Sequence, residues 1–213
     1  MEERGSGIIL RTRPLTETSL IVQWLTEDLG RIATVAKGAR RPKSIFLGRI
    51  DLFYEGQFSF IRSRKSELHT LKEMVLEQTH PELRRDLAAL GIASYLAVLI
   101  EHATETETPV PEIWALFREA LHQLSNRPAD AMILFKFESR LLALLGFAPP
   151  LEKSRLSLPA KSLLAAFMAG EEAAKAENLS VMKEANRFLQ ASIGTALERV
   201  PPQRLGLARL LGL

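Results

Sequence analysis

"SLIVQWLTEDLGRIATVAKGARR", residues 19–41, decides the fold. Leu20, Val22 and Trp24 alternate with Ile21, Gln23 and Leu25, the period of two that marks a strand. "EDLGR" (27–31) supplies turn residues, and "RIATVAK" (31–37) resumes the alternation, so the stretch reads as a β-hairpin. Trp24, in register with Leu20 and Val22, is assigned to a core. The second strand ends at Gly38 and runs into Arg40, Arg41 and Lys43 with no acid among them.

The same pattern holds on either side. "GIILRTR" (7–13) sets Ile8, Leu10 and Thr12 against Ile9, Arg11 and Arg13 and ends at Pro14. "LFYEGQFSFIR" (52–62) places Phe58, Phe60 and Arg62 on one face, and "ELHTLKEMVLE" (67–77) follows. Five strands joined by short turns predict a small antiparallel barrel, of which the OB-fold is the commonest version that also binds nucleic acid. From Thr79 the period becomes helical. "HPELRRDLAALGIASYLAVLIEHA" (80–103) opens with Pro81 in a first-turn position and is apolar nearly all round. "TETETPVP" (104–111) is a polar connector. "PEIWALFREALHQL" (111–124), "PADAMILFKFESRLLALLG" (128–146, with Gly146 after the last turn), "PAKSLLAAFMAG" (159–170) and "NLSVMKEANRFLQASIGTALERV" (178–200, stopped by Pro201 and Pro202) complete about five helices. The expectation is an α+β chain of two domains: a five-stranded OB-fold barrel for nucleic acid over 1–78 and an all-α domain for partner binding over 79–213.

Several function classes find no support. There is no cysteine, which excludes disulfides, thiolate nucleophiles and cysteine-ligated zinc. "MEERGSGIIL" lacks the basic start and apolar core of a signal peptide. The longest uncharged apolar run, Leu87 to Ile100, is 14 residues, short of the roughly 20 a spanning helix needs. The default compartment is therefore the cytoplasm, and no cofactor is expected. His69, His80, His102 and His122 fall on different elements with no metal-ligand spacing. "GSG" (5–7) precedes a strand and lacks the third glycine of a dinucleotide fingerprint, and no phosphate loop, nucleophile elbow or HExxH occurs. Glu27 with Asp28 and Glu171 with Glu172 read as solvated turns or helix caps. Catalysis is not expected.

Charge is informative through its distribution. Net charge is +3, yet residues 1–80 hold 13 Lys/Arg against 10 Asp/Glu, while residues 81–213 hold 15 of each. Between Leu29 and Ile50 stand Arg31, Lys37, Arg40, Arg41, Lys43 and Arg49 and no carboxylate. A one-sign segment on a glycine- and proline-containing connection can clamp phosphate oxygens without catalysis, with strongly salt-dependent binding. Arg11, Arg13, Arg62, Arg64 and Lys65, on neighbouring strands and turns, are expected to join it in one groove. Phe46, between Lys43 and Arg49, is the candidate for stacking on an unpaired base. In the third helix Lys136 and Arg140 lie one turn apart on an apolar cylinder, a candidate socket for an acidic, aromatic-ended peptide. An RNA-binding OB-fold protein and an interaction module holding an acidic partner are the alternatives.

"RTRPLTETSLIVQWLTEDLGRIATVAKGARRPKS" followed by "FLGRIDLF" resembles the N-terminal domain of RecO, the bacterial recombination mediator and DNA repair family, and "FESRLLALLGF" (137–147) resembles its signature in the helical domain. The resemblance implies an OB-fold joined to a helical domain, without enzymatic turnover. It implies binding of single- and double-stranded DNA and annealing of complementary strands. It also implies contact with the C-terminal tail of the single-stranded-DNA-binding protein, and loading of RecA together with RecR and often RecF. The DNA role falls on Lys37, Arg40, Arg41 and Lys43 in "VAKGARR" and its continuation, and the tail role on Lys136 and Arg140 flanking "FESRLL". Two features depart from the family pattern. "APPLEKSRLSLPAKS" (148–162) has no cysteine zinc module, and "PPQRLGLARLLGL" (201–213) lacks the basic LKSR-like ending.

Overall fold

The structure is a computed structural model that describes residues 2–172 and 178–213. Five strands form in order: β1 (Glu2–Pro14), β2 (Leu20–Thr26), β3 (Arg31–Ala36), β4 (Glu55–Ile61) and β5 (Leu68–Gln78). They close into a barrel in the order β1-β2-β3-β5-β4, with β1 also pairing β4. Every pairing is antiparallel except β3 with β5, which makes this an OB-fold barrel. Inside lie Ile9, Val22, Trp24, Ile32, Phe58, Phe60, Leu71 and Met74. The Trp24 ring stacks on Phe58 at 4.2 Å, and its indole N–H donates to Thr34 Oγ1 at 2.9 Å, so the polar edge of a buried indole is satisfied. Strict alternation fails in β1, where a bulge between Ile9 and Arg11 lets Ile8, Ile9 and Leu10 all be buried.

Among the described residues six α-helices follow: α1 (Leu87–Ala103), α2 (Pro111–Asn126), α3 (Ala131–Leu144), α4 (Leu158–Ala169), α5 (Leu179–Ala196) and α6 (Gln203–Leu210). Pro81 does not start the first one. Pro81–Arg84 is a separate 3₁₀ turn, and α1 begins where Asp86 Oδ1 accepts the N–H groups of Ala88 and Ala89, the stronger start signal. Asp130 caps α3 in the same way, and Gly146 follows its end in the left-handed region. α5 stops at Ala196, before Pro201, and the two prolines instead precede α6, which the sequence reading does not include.

The chain forms two compact units. One holds the barrel up to Pro81 together with Thr104–Arg118; the other holds Glu82–Ala103 and Glu119–Leu213. A single boundary after residue 78 therefore does not describe the division, because the connector returns to the barrel. Arg31 donates to Thr104 Oγ1 at 2.8 Å and to the Thr104 carbonyl at 2.6 Å, and the Glu107 N–H donates to the Arg31 carbonyl at 2.8 Å. Phe117 meets Phe53 edge-on, and Arg118 pairs with the buried Glu55 at 2.7 Å. This strap fixes the identity of Gly30. A Cβ there would stand 2.0 Å from the Thr108 carbonyl oxygen, and the residue has φ +68°. Gly30→Ala is expected to destabilise the chain by about 2 kcal/mol or more, combining a left-handed backbone with a backbone clash. Urea unfolding measures it, and a loss below about 0.5 kcal/mol would show that the strap does not sit this close.

In the second unit α3 packs against α1, α4 and α5, and α1 against α6. Their core encloses an ion pair. Arg204 of α6 holds Glu138 of α3 bidentately at 2.6 and 3.0 Å and donates to Asn186 Oδ1 at 2.6 Å, while the Tyr95 hydroxyl donates to Glu138 Oε1 at 2.7 Å. Arg204 and Glu138 are both 0% exposed. Burial, and then the Glu138 charge, push the Tyr95 hydroxyl far above the ordinary phenol range. Glu138 is the acid of "FESRLL", so that motif's carboxylate is a core residue here.

Candidate nucleic-acid interface

The basic segment is the connection from β3 to β4. It is built of consecutive turns: Arg41 N–H donates to the Gly38 carbonyl, Ser44 to Arg41, Leu47 to Ser44 and Arg49 to Phe46. Gly38 takes φ +69° where the strand must turn out. Arg40 N–H donates to the Thr18 carbonyl at 3.0 Å, tying the connection to the β1–β2 turn. Ala39 and Phe46 point into the barrel core. With these two apolar anchors inside, residues 40–43 and Ile45 between them face out. Lys37, Arg40, Arg41 and Lys43 are exposed, and among the described residues no carboxylate pairs with them. Phe46 must be reassigned. At 5% exposure its ring belongs to the core and offers no face to a base. Arg49 is exposed but donates to the Met74 carbonyl at 3.1 Å.

Topology divides the other cations between the two ends of the barrel. The end of β1 pairs with the start of β2, which pairs with the end of β3, so Arg13 shares the end from which the basic connection leaves. Arg11 lies further along β1, opposite Gln23, and is exposed. β5 runs parallel to β3, with Leu68 opposite Ala33. The turn carrying Arg62, Arg64 and Lys65 therefore sits beside the start of β3, with Arg31, at the far end. The single groove expected from all of these residues does not form. Two of them are also engaged: Arg31 with the strap, and Arg62 with Glu3 at 2.8 Å and Glu107 at 2.6 Å. The Glu3 hydrogen bond holds the Arg62 guanidinium above its ordinary range, and the same bond holds the Glu3 carboxyl below its own. His69, buried and stacked on Phe60, completes that end, 2.9 Å from Glu107. Arg64 and Lys65 are exposed there.

In the helical unit Lys136 is bonded by Glu119 at 2.8 Å and by Glu172. Burial acts to lower the affinity of its amine for a proton, but the two carboxylates outweigh burial and raise it. Arg140 donates to the Met168 carbonyl at 2.8 Å, closing the last turn of α4 where a cation suits the helix dipole. An acidic peptide would compete for Lys136 with Glu119 and Glu172, and for Arg140 with the Met168 carbonyl. Among the described residues no three His, Asp or Glu side chains gather as metal ligands, and no helix is long and apolar enough to cross a membrane.

Two family models match: Recombination protein O N terminal over residues 1–80 and Recombination protein O C terminal over residues 84–157. The chain is similar to the DNA repair protein RecO of Bacillus subtilis, 32% identical over 151 residues that cover 71% of this chain and 58% of the relative. It is also similar to that of Syntrophus aciditrophicus, 30% identical over 149 residues covering 70% and 58%. For Rhodopirellula baltica the figures are 34% identity over 147 residues, covering 69% and 54%. The chain thus spans less than two-thirds of the length of these relatives. With an OB-fold barrel, a helical unit and both family models matched in order, the chain belongs to the RecO family of DNA repair proteins.

Proposed function

We propose that this chain is a non-enzymatic recombination mediator that binds single- and double-stranded DNA through the barrel end carrying Lys37, Arg40, Arg41, Lys43 and Arg13. The observation that supports it is the cation array itself: four exposed side chains that have no carboxylate partner among the described residues, three of them between buried Ala39 and Phe46. Such an array exchanges counterions for phosphates and needs no group that makes or breaks a bond. The role extends to annealing complementary strands in the cytoplasm and to helping load RecA on coated DNA, with RecR and RecF as partners. Annealing of two labelled oligonucleotides coated with single-stranded-DNA-binding protein tests it. Acceleration by the chain is expected, and none would favour an RNA-binding role or an acidic protein partner instead.

The tail of the single-stranded-DNA-binding protein is proposed to bind the helical unit at Lys136 and Arg140, in competition with Glu119 and Glu172. Replacing both glutamates with glutamine is then expected to tighten binding of an acidic tail peptide severalfold, as read by fluorescence anisotropy. Unchanged affinity would put the tail elsewhere.

A further inference from the structure

The basic connection carries a second feature. Ile45 and Leu47 are 62% and 66% exposed, on either side of Phe46 at 5%. Single exposed aliphatic residues are ordinary. This pair differs in three respects. First, the backbone aims it: Phe46 is anchored in the core, its N–H donates to Ser44 Oγ at 3.2 Å, and the Leu47 N–H donates to the Ser44 carbonyl at 3.2 Å. The two side chains are thus held outward by turns and not left on a slack tip. Second, they stand between Lys43 and Arg49, in a segment without a carboxylate from Leu29 to Ile50. Third, they share the barrel end with the exposed Arg40 and Arg41, the groups best placed for phosphates.

An apolar step among cations suits a ligand with alternating anionic and flat apolar parts. Single-stranded DNA has both, since its bases present free π-faces between phosphates. A duplex hides those faces in its own stack and shows phosphates and base edges. We propose that Ile45 and Leu47 take the faces of unpaired bases and so tilt this site toward single strands. The proposal rests on the DNA-binding reading above and assigns to the aliphatic pair the role the sequence reading gave to Phe46.

Ile45→Ser with Leu47→Ser tests it in the full chain. Affinity for a labelled 20-nucleotide oligothymidylate should fall about fivefold, the lower end of what stacking of one base on an aromatic ring contributes. Affinity for a 20-base-pair duplex should stay within about twofold, and the salt slope on both should not change, because apolar contacts release no counterions. Unchanged oligothymidylate binding, or equal loss on the duplex as from a wedge between base pairs, would overturn the proposal while leaving the cation site standing. A native chain that binds neither probe would instead overturn the DNA-binding reading. Leu47→Trp gives a second readout that does not depend on losing anything. Its added fluorescence, measured against the native background, should be quenched by saturating oligothymidylate and not by duplex, and an indole left unquenched by the oligonucleotide would refute base contact.

Discussion

Replacing Lys37, Arg40, Arg41 and Lys43 together with alanine is expected to lower the slope of log affinity against log salt by about 3, four contacts at roughly 0.7–0.9 each. Between 50 and 200 mM salt the native chain should then lose roughly sixty-fold more affinity for DNA than the variant does. The effect should be the same on any sequence, since phosphate contacts carry no base information. Stability should change by less than about 0.5 kcal/mol, because the four side chains are exposed and, among the described residues, pair with no carboxylate. The matching control replaces Arg64 and Lys65 at the far end of the barrel. Its slope should remain that of the native chain, and a loss there equal to the loop variant's would place the DNA track elsewhere. An unchanged slope in the loop variant would remove the loop from the interface altogether.

The second large effect concerns the core of the helical unit. Glu138→Ala leaves the Arg204 guanidinium with no counter-charge at 0% exposure, and breaking such a pair from one side costs about 3–5 kcal/mol. The Tyr95 hydroxyl loses its acceptor as well. Replacing both members, Glu138→Leu with Arg204→Met, should recover most of that loss, because two buried charges and their desolvation leave together. Urea unfolding of the two single variants and the double one measures the coupling. A single-variant cost below about 1 kcal/mol would mean that water reaches the pair. The same result bears on function, since "FESRLL" carries this glutamate. Its part here is to hold α3 to α6, while the cation next in the motif, Arg140, closes α4.

What could be read from the sequence follows the range of the interactions involved. Alternation gave the five strands, and the register of Trp24 with Leu20 and Val22 placed its ring in the core, because a strand's faces are set by neighbours two residues away. The direction of Phe46 could not be read in this way. Turns have no period, and whether a loop aromatic points in or out depends on the core it meets. Nor could the split of the cations between two barrel ends be read locally. It follows from the parallel pairing of Leu68 with Ala33, 35 positions apart. Lys136 and Arg140 looked like open charges because their partners are Glu119, Glu172 and a carbonyl of α4, all outside α3. α6 escaped because two prolines stand before it and Gly206 within it, which weakens its helical signal, and because Arg204 finds its partner 66 residues earlier.

The strap has a practical consequence for anyone who wants the barrel alone. A fragment cut after the fifth strand would strip Arg31 of its Thr104 acceptors, Glu55 of its counter-ion and Phe53 of its aromatic neighbour, all supplied from Thr104–Arg118. The low-complexity "TETET" is a clasp on the piece it seems to leave, so excision at the obvious seam would yield an injured half.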